Sequence, residues 1–433
     1  MMKQSISETD RILSLDVVRG FALLGILLVN ILSFGAISAM AFNPSLGFSL
    51  PSDIWIWGAV ELTAEGAMRA LFSMLFGAGV LLFLDRGEGR GKLHFKRTFW
   101  LLIFGLINGY ILMWSGDILS TYALAGFVLY FLRDKSPRGL TILSAVLFAC
   151  LCAYSAALNF GLEFLRNAAS HNTEAAADWA EFYDMFAPSE AVIKTELAQR
   201  TGSFSALVSW SAAAYTSVLL EIIPMLLFWD ALVFMCIGMA LYRYRVLQGA
   251  HSDRFYLFTA LAGFGIGLSV NAYEIYQMIA SDFDILASFA YFKPTYQLGR
   301  LGVALGWIGL LILAMRRFGI GQRLAAVGRM ALTNYLMQSL ICLFIFTGIG
   351  FGLLGTLHRT ELYLVVILIW AFQLWLSPWW LARYRYGSAE WLWRALTYGT
   401  ARNVPRRGKR SSNPASDGKS ICFSPSLGPW QLA

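Results

Sequence analysis

The chain has 433 residues, 58% of them hydrophobic and only 14% charged, with a mean hydropathy of +0.59. A soluble protein of this length would need far more polar surface to cover its core, so the solvent for most of this chain is lipid. The net charge of +8 sits largely in short gaps between apolar runs. No groove-reading motif accompanies it, so it reads as membrane topology and not as nucleic-acid binding.

A helix crosses the bilayer with ~20 apolar residues, and by that measure the chain reads as an all-α, polytopic membrane bundle of about ten transmembrane helices. Residues 1–13 are expected to be a short cytoplasmic N-terminus, and 14–399 a single transmembrane domain. The first span, 14–36, is longer than the ~7–15 residues of a signal h-region and is expected to remain as an anchor. It carries Asp16, Arg19 and Asn30. Eleven residues are close to three turns, so Arg19 and Asn30 share a face about 16 Å apart. Asp16, three residues before Arg19, can pair with it. Arg19 either snorkels to the inner headgroups or begins a polar stripe that lines a tunnel.

The segment 51–66 is too polar and short to cross, and reads as an interfacial or re-entrant helix. The second span, 66–84, opens with Glu65 and Arg69 in i,i+4 relation. The third and fourth, 97–115 and 118–132, hold Asn108 at mid-helix and Asp117 at the hairpin between them. Asp117 suits both an N-cap and a functional carboxylate. The fifth, 139–160, leads to a gap at 161–207 rich in Asp and Glu, expected to be an outer loop. The sixth, 208–242, contains Glu221, Asp230 and Pro224, and the proline should kink it. Asn271 and Glu274 follow in the seventh, 255–277, and Arg300 in the eighth, 297–315. The ninth, 329–355, holds Asn334 and Gln338; the tenth covers 361–381. "AEWLWRALTYG" at 389–399 should lie along the inner membrane surface. The polar, basic tail 400–433 reads as disordered and able to rest on anionic lipid.

Basic residues cluster at 85–97, 133–138, 243–254 and 316–323, which are alternate gaps. The positive-inside rule puts them, and both termini, in the cytoplasm of a cell inner membrane. The amides are of the kind that bond neighbouring helices. Arg69, Glu221, Asp230 and Arg300 together point to a polar cavity opening outward, because each charge at bilayer depth costs ~2.5–3.5 kcal/mol on insertion scales. Asp117, Glu274 and Arg300 share a depth, so Arg300 is expected to pair with one of the two carboxylates. The five cysteines have no metal spacing, and the histidines, among them His94, read as loop or loop-edge residues. No metal is expected.

The stretches "LDVVRGFALLGILLVNILSFG", "LFSMLFGAGVLLF", "GLINGYILMWSGDILSTYAL", "GRMALTNYLMQS" and "AEWLWRALTYG" together resemble the bacterial YeiB-like (DUF418) family of membrane proteins. That family is distantly similar to membrane acyltransferases, including the acyltransferase-3 enzymes and heparan-α-glucosaminide N-acetyltransferase. The acyltransferase-3 pattern R-x10-H reads Arg19-x10-Asn30 in this chain. Asn108 stands where YeiB-like relatives often have a histidine, and an amide cannot serve as a general base near neutral pH.

Two readings follow. In the first, the protein is an acyltransferase with no tightly bound cofactor, using acetyl-CoA or another acyl-CoA as cytoplasmic donor. Its acceptor is an envelope glycan or lipid on the outer side. Asp117 or Glu274 is then the base, and Asn30 and Asn108 polarise the carbonyl. Arg19 binds donor phosphates, with Asp16, Arg69, Glu221, Asp230, Arg300, Asn334 and Gln338 lining the donor and substrate paths. In the second, the same cavity serves a transporter or a lipid-binding or structural membrane protein without chemistry.

Overall fold

The computed structural model describes residues 12–399 apart from 86 and 88; the expectation of a disordered tail at 400–433 lies outside the described residues. In chain order the helices are α1 Leu13–Gly35, α2 Pro51–Thr63, α3 Ala67–Leu84, α4 Gly91–Tyr110, α5 Leu119–Leu132 and α6 Pro137–Ala169. Next come α7 Thr173–Phe186, α8 Glu190–Thr201, α9 Phe204–Ser217, a π-helical turn at Val218–Leu227 and α10 Phe228–Arg243. The rest are α11 Asp253–Ala280, the short α12 Ile285–Ser288, α13 Tyr296–Phe318, α14 Gln322–Arg329, α15 Ala331–Phe346, α16 Arg359–Arg383 and α17 Ser388–Tyr398. Among the described residues seven helical spans are long and apolar enough to cross a membrane, or eight if α14 and α15 count as one bent span. The protein is an all-α membrane bundle. α4 has basic residues in its first two turns and α5 has only 14 residues, and neither is among those spans.

Several expectations change in the fold. The 51–66 segment, read from sequence as an interfacial or re-entrant helix, is helical as α2. α2 runs into α3 to form one 34-residue span, joined at Gly66, whose φ of 63° suits glycine. The acidic 161–207 gap is not an open loop but the end of α6, α7 and α8. α8 fastens this cap to the bundle. Arg200 donates to the carbonyls of Ala36 at 3.0 Å and Ser33 at 2.9 Å, satisfying the open end of α1, and pairs with Glu196 at 2.8 Å. Pro224 does not break its helix. The missing backbone donor is absorbed by the π-helical register of Val218–Leu227, inside a span that continues for 40 residues.

The ninth apolar run is divided. α14 meets α15 at 80° and lies against α1. Gly20 and Gly328 make this contact possible: a Cβ at either would stand 2.0 Å from a backbone oxygen of the other helix. Glu390, near the start of α17, accepts from the backbone of Leu332 at 2.7 Å and Thr333 at 3.1 Å, capping α15. α17 therefore folds across the basic end of the bundle and packs on α4, where Trp393 Nε1 donates to the Arg97 carbonyl at 2.8 Å.

The basic turns gather at one end and the α7–α8 cap at the other, so the positive-inside rule predicts a cytoplasmic basic end. In a variant with its native cysteines replaced by serine, Asp178→Cys should react with an impermeant maleimide on intact cells. Ala250→Cys should react only after lysis. The opposite labelling pattern would invert the orientation.

Candidate functional site

A cavity of about 290 Å³ opens at the basic end between α1, α3, α4, α5, α15 and α17. Its deep wall is apolar, with Phe72, Leu75, Phe76, Val80, Leu101 and Leu119; Tyr122 and Tyr335 stand at its far limit. Its mouth is cationic. Arg19, Arg97, Arg329 and Arg394 all border it, with Asp16 and Glu390. Arg19 pairs with Asp16 at 3.0 Å, as the i,i+3 spacing predicts. Glu390 is committed to the α15 cap. Arg97 shares the mouth with Arg19 and Arg394 and is flanked by rings, 4.2 Å from the Trp393 centroid and 5.0 Å from that of Phe83. Arg394 rests on Tyr386 at 4.4 Å. Neither Arg97 nor Arg394 has a carboxylate partner or a side-chain hydrogen bond among the described residues. Such flat, ring-supported guanidiniums are suited to phosphate.

His94 also borders the cavity. It is buried in the first turn of α4, and its Nε2 lies 2.9 Å from the Gly126 carbonyl. A carbonyl can only accept, so Nε2 carries the proton and the neutral ring keeps its lone pair on Nδ1. From the sequence His94 reads as a loop-edge residue, because Lys92, Lys96 and Arg97 around it hide the start of α4. The signal available was the pair His94 and Arg97, three apart and so on one helix face.

The polar stripe on α1 does not line one tunnel. Leu23 and Ile26 lie between Arg19 and Asn30 on the same face, and both are buried in apolar clusters. Asn30 is outside the cavity and its amide has no hydrogen-bond partner among the described residues. Asn108 and Asp117 do meet, with Asn108 Nδ2 donating to Asp117 Oδ1 at 2.9 Å. Asp117 also accepts from the Ser120 backbone at 2.8 Å, a cap at the start of α5, and Ser120 Oγ lies 2.6 Å from the Tyr215 hydroxyl. This buried group sits behind Leu119 and the cavity does not reach it.

Arg300 pairs with neither Asp117 nor Glu274. Its guanidinium is fully buried and bonds Asp230 and Gln297. Asp230 also faces Arg69 Nε at 3.6 Å. Arg69 donates to the Tyr296 hydroxyl at 3.0 Å, and Tyr296 donates to Glu65 at 3.1 Å. The reason is depth: Asp230, in the first turn of α10, reaches the level of Arg300. Glu274 is held at the other end by Lys293 at 3.2 Å and the Thr295 hydroxyl at 2.6 Å, with Glu61 3.6 Å from the same ammonium. Lys293, Glu61 and Tyr296 are partners that the sequence alone did not single out.

Two further expected residues stand apart. Glu221 is exposed on the π-helical turn and bonds only Ser217, at 2.8 Å, among the described residues; the one-residue widening of the π register turns it out of the bundle. Asn334 and Gln338 are buried and tie α15 to α16. Asn334 Nδ2 donates to Ser377 at 3.0 Å, and Gln338 Nε2 to Gln373 at 3.0 Å. This is interhelical bonding of the ordinary membrane kind.

Comparison with known proteins completes the picture. Residues 241–400 match the family described as "Protein of unknown function (DUF418)". The chain is 31% identical over 396 residues to "Uncharacterized protein YeiB" of Escherichia coli (strain K12), covering 90% of this chain and 97% of that one. The chain belongs to this YeiB-like DUF418 family. It is also 28% identical over 434 residues to "Uncharacterized protein YxaH" of Bacillus subtilis (strain 168), covering 94% and 99% of the two chains. It is 27% identical over 425 residues to the "Uncharacterized 39.9 kDa protein in amylase 3'region" of Bacillus acidopullulyticus, covering 91% and 95%. No solved structure matches. The DUF418 match takes in α14, α15 and α17, which supply Arg329, Leu332, Tyr335 and Arg394 to the cavity.

The shared anion in this DUF418 chain gives a direct test. Asp230→Asn strips the buried Arg300 and the partly exposed Arg69 of their carboxylate and should cost about 3–5 kcal/mol. Asp230→Asn combined with Arg300→Met should be less damaging than Asp230→Asn alone. Melting temperatures of the purified variants in detergent decide; strictly additive losses would contradict the pairing.

Proposed function

We propose that this membrane protein transfers an acyl group from a phosphate-bearing donor, taken at the basic end, to a hydroxyl or amine of the cell envelope. The observation that carries the reading is the cavity: an apolar interior under a mouth of arginines, with a neutral imidazole on its wall. The loop charges favour a cytoplasmic position for that mouth in a cell inner membrane, where acetyl-CoA or another acyl-CoA is at hand. The acceptor in this reading is an envelope glycan or lipid.

Arg19, Arg97 and Arg394 would hold the donor's phosphates by charge-assisted bonds. Attack by the acceptor's oxygen or nitrogen on the donor carbonyl forms the new ester or amide bond and breaks the thioester. The proton released from the acceptor passes to His94 Nδ1 and then to the departing thiolate. Imidazole suits this because its protonation changes near neutral pH. The resemblance to acyltransferases supports the same reaction class. Asn108 and Asp117 then support the hairpin of α4 and α5, on which His94 and Gly126 are carried.

The test is donor-dependent incorporation of radiolabelled acyl groups, from acetyl to palmitoyl, into lipid and glycan fractions of inverted membrane vesicles. Vesicles carrying the wild-type chain should incorporate base-labile label, and His94→Gln should reduce it by about 100-fold or more. No incorporation from any of these donors, or unchanged incorporation with His94→Gln, would reject the reading.

A further inference from the structure

The acyl-transfer reading leaves the size of the apolar group open, and the wall of the cavity speaks to it. α3 alone lines it from Phe72 to Phe83, which at 1.5 Å per residue is a depth of about 16 Å. Along that depth the wall offers Leu15, Leu75, Phe76, Val80 and Leu101. An acetyl group would touch a small part of it. A hydrocarbon chain would cover it. At the mouth Arg97 and Arg394 have no carboxylate partner among the described residues, although charges of one sign are crowded there. An arrangement of paired rings and unpaired guanidiniums over an oily shaft lacks an anion with a tail.

We infer that the cavity takes an amphiphile with a phosphate-bearing head and a hydrocarbon chain. The phosphates sit at the mouth against Arg97 and Arg394, the pantetheine arm of an acyl-CoA folds back there so that its thioester lies beside His94, and the hydrocarbon chain lies along α3 toward Tyr122. This rests on the proposed function only in treating the cavity as the ligand site; the transfer step is not needed. The same chemistry is offered by a fatty-acyl-CoA from the aqueous side and by a phosphorylated membrane lipid. α17 covers the head, because Trp393, Arg394, Thr397 and Tyr398 all border the cavity.

Gly79 provides a variant that fills the shaft without harming the fold. It lines the cavity, and a Cβ there would meet no atom within 4 Å. Leucine also favours a helix over glycine. The full chain, in phosphatidylcholine nanodiscs, is titrated calorimetrically with CoA, acetyl-CoA, octanoyl-CoA and lysophosphatidic acid. Affinity should rise about fourfold for each methylene buried, so octanoyl-CoA should bind at least tens of times more tightly than acetyl-CoA. Gly79→Leu should remove most of that gain, leave CoA binding unchanged and not lower the melting temperature. Arg97→Gln with Arg394→Gln should weaken octanoyl-CoA tenfold or more, with lysine at both positions restoring part of it.

Tight octanoyl-CoA binding with weak lysophosphatidic acid identifies the soluble source; the reverse identifies a membrane lipid. Equal binding of CoA, acetyl-CoA and octanoyl-CoA without tight lysophosphatidic acid binding, tight octanoyl-CoA or lysophosphatidic acid binding untouched by Gly79→Leu, or no binding by any of the four overturns the inference. A chain-length series that holds while no acyl group is transferred would reject the proposed function alone.

Discussion

Asp230 is the anion around which the middle of the bundle is assembled. It lies on α10, and its cationic partners come from α13 and α3. In a hydrocarbon environment none of the three charges is tolerable alone, and water is not available to replace a missing partner. The three helices must therefore meet at this depth and in this rotation. Arg300 is pinned further by Gln297 on its own helix and by the rings of Phe234 and Tyr296, whose centroids are 4.4 and 4.8 Å from its guanidinium carbon. Fixing α3 fixes the face that Phe72, Phe76 and Phe83 present toward the basic end. The wall of the cavity, which begins at Phe72 within one turn of Arg69, is thus a consequence of this charge cluster.

The helix ends follow the same logic of satisfying polar groups internally. Arg200 closes the last carbonyls of α1, and Glu390 closes the first amides of α15. Asp53 serves two helices at once. Its carboxylate accepts from the Leu50 backbone at 2.8 Å at the start of α2 and from the Thr360 backbone at 3.0 Å at the start of α16. Each of these residues is charged and placed where a helix terminus has unsatisfied groups of the opposite polarity. Two of the three also decide how an accessory helix docks. α8 is held over the acidic end by Arg200, and α17 over the basic end by Glu390.

The two ends are chemically unlike, and this gives the fold its functional direction. At the acidic end the charges are paired across helices, as in Lys293 with Glu274 and Glu61. At the basic end arginines outnumber nearby carboxylates, and aromatic rings support them in place of counter-ions. Ring support orients a guanidinium while leaving its in-plane donors open. That difference is why the basic cavity, and not the paired network, carries the functional reading.

Much of this was written in the sequence. Apolar run length established the membrane class and located the helices, since the ~20-residue requirement depends only on bilayer thickness and helical rise. Local spacing established the Asp16–Arg19 pair, and Asp117 as a residue able to cap α5. Alternating basic gaps marked the two ends. What the sequence left undecided were pairings between distant positions. Arg300 and Asp230 are 70 residues apart, and Trp393 and the Arg97 carbonyl 296. A periodic pattern says which residues share a helix face, but not which neighbour that face will meet. Only packing separated Arg19 from Asn30 by the buried Leu23 and Ile26, turned Glu221 outward on a π-helical turn, and brought His94, Arg97 and Arg394 to one cavity. Those outcomes depend on rotation and depth of whole helices, which close contacts such as Gly20 against α14 and shared charges such as Asp230 set once the chain is folded.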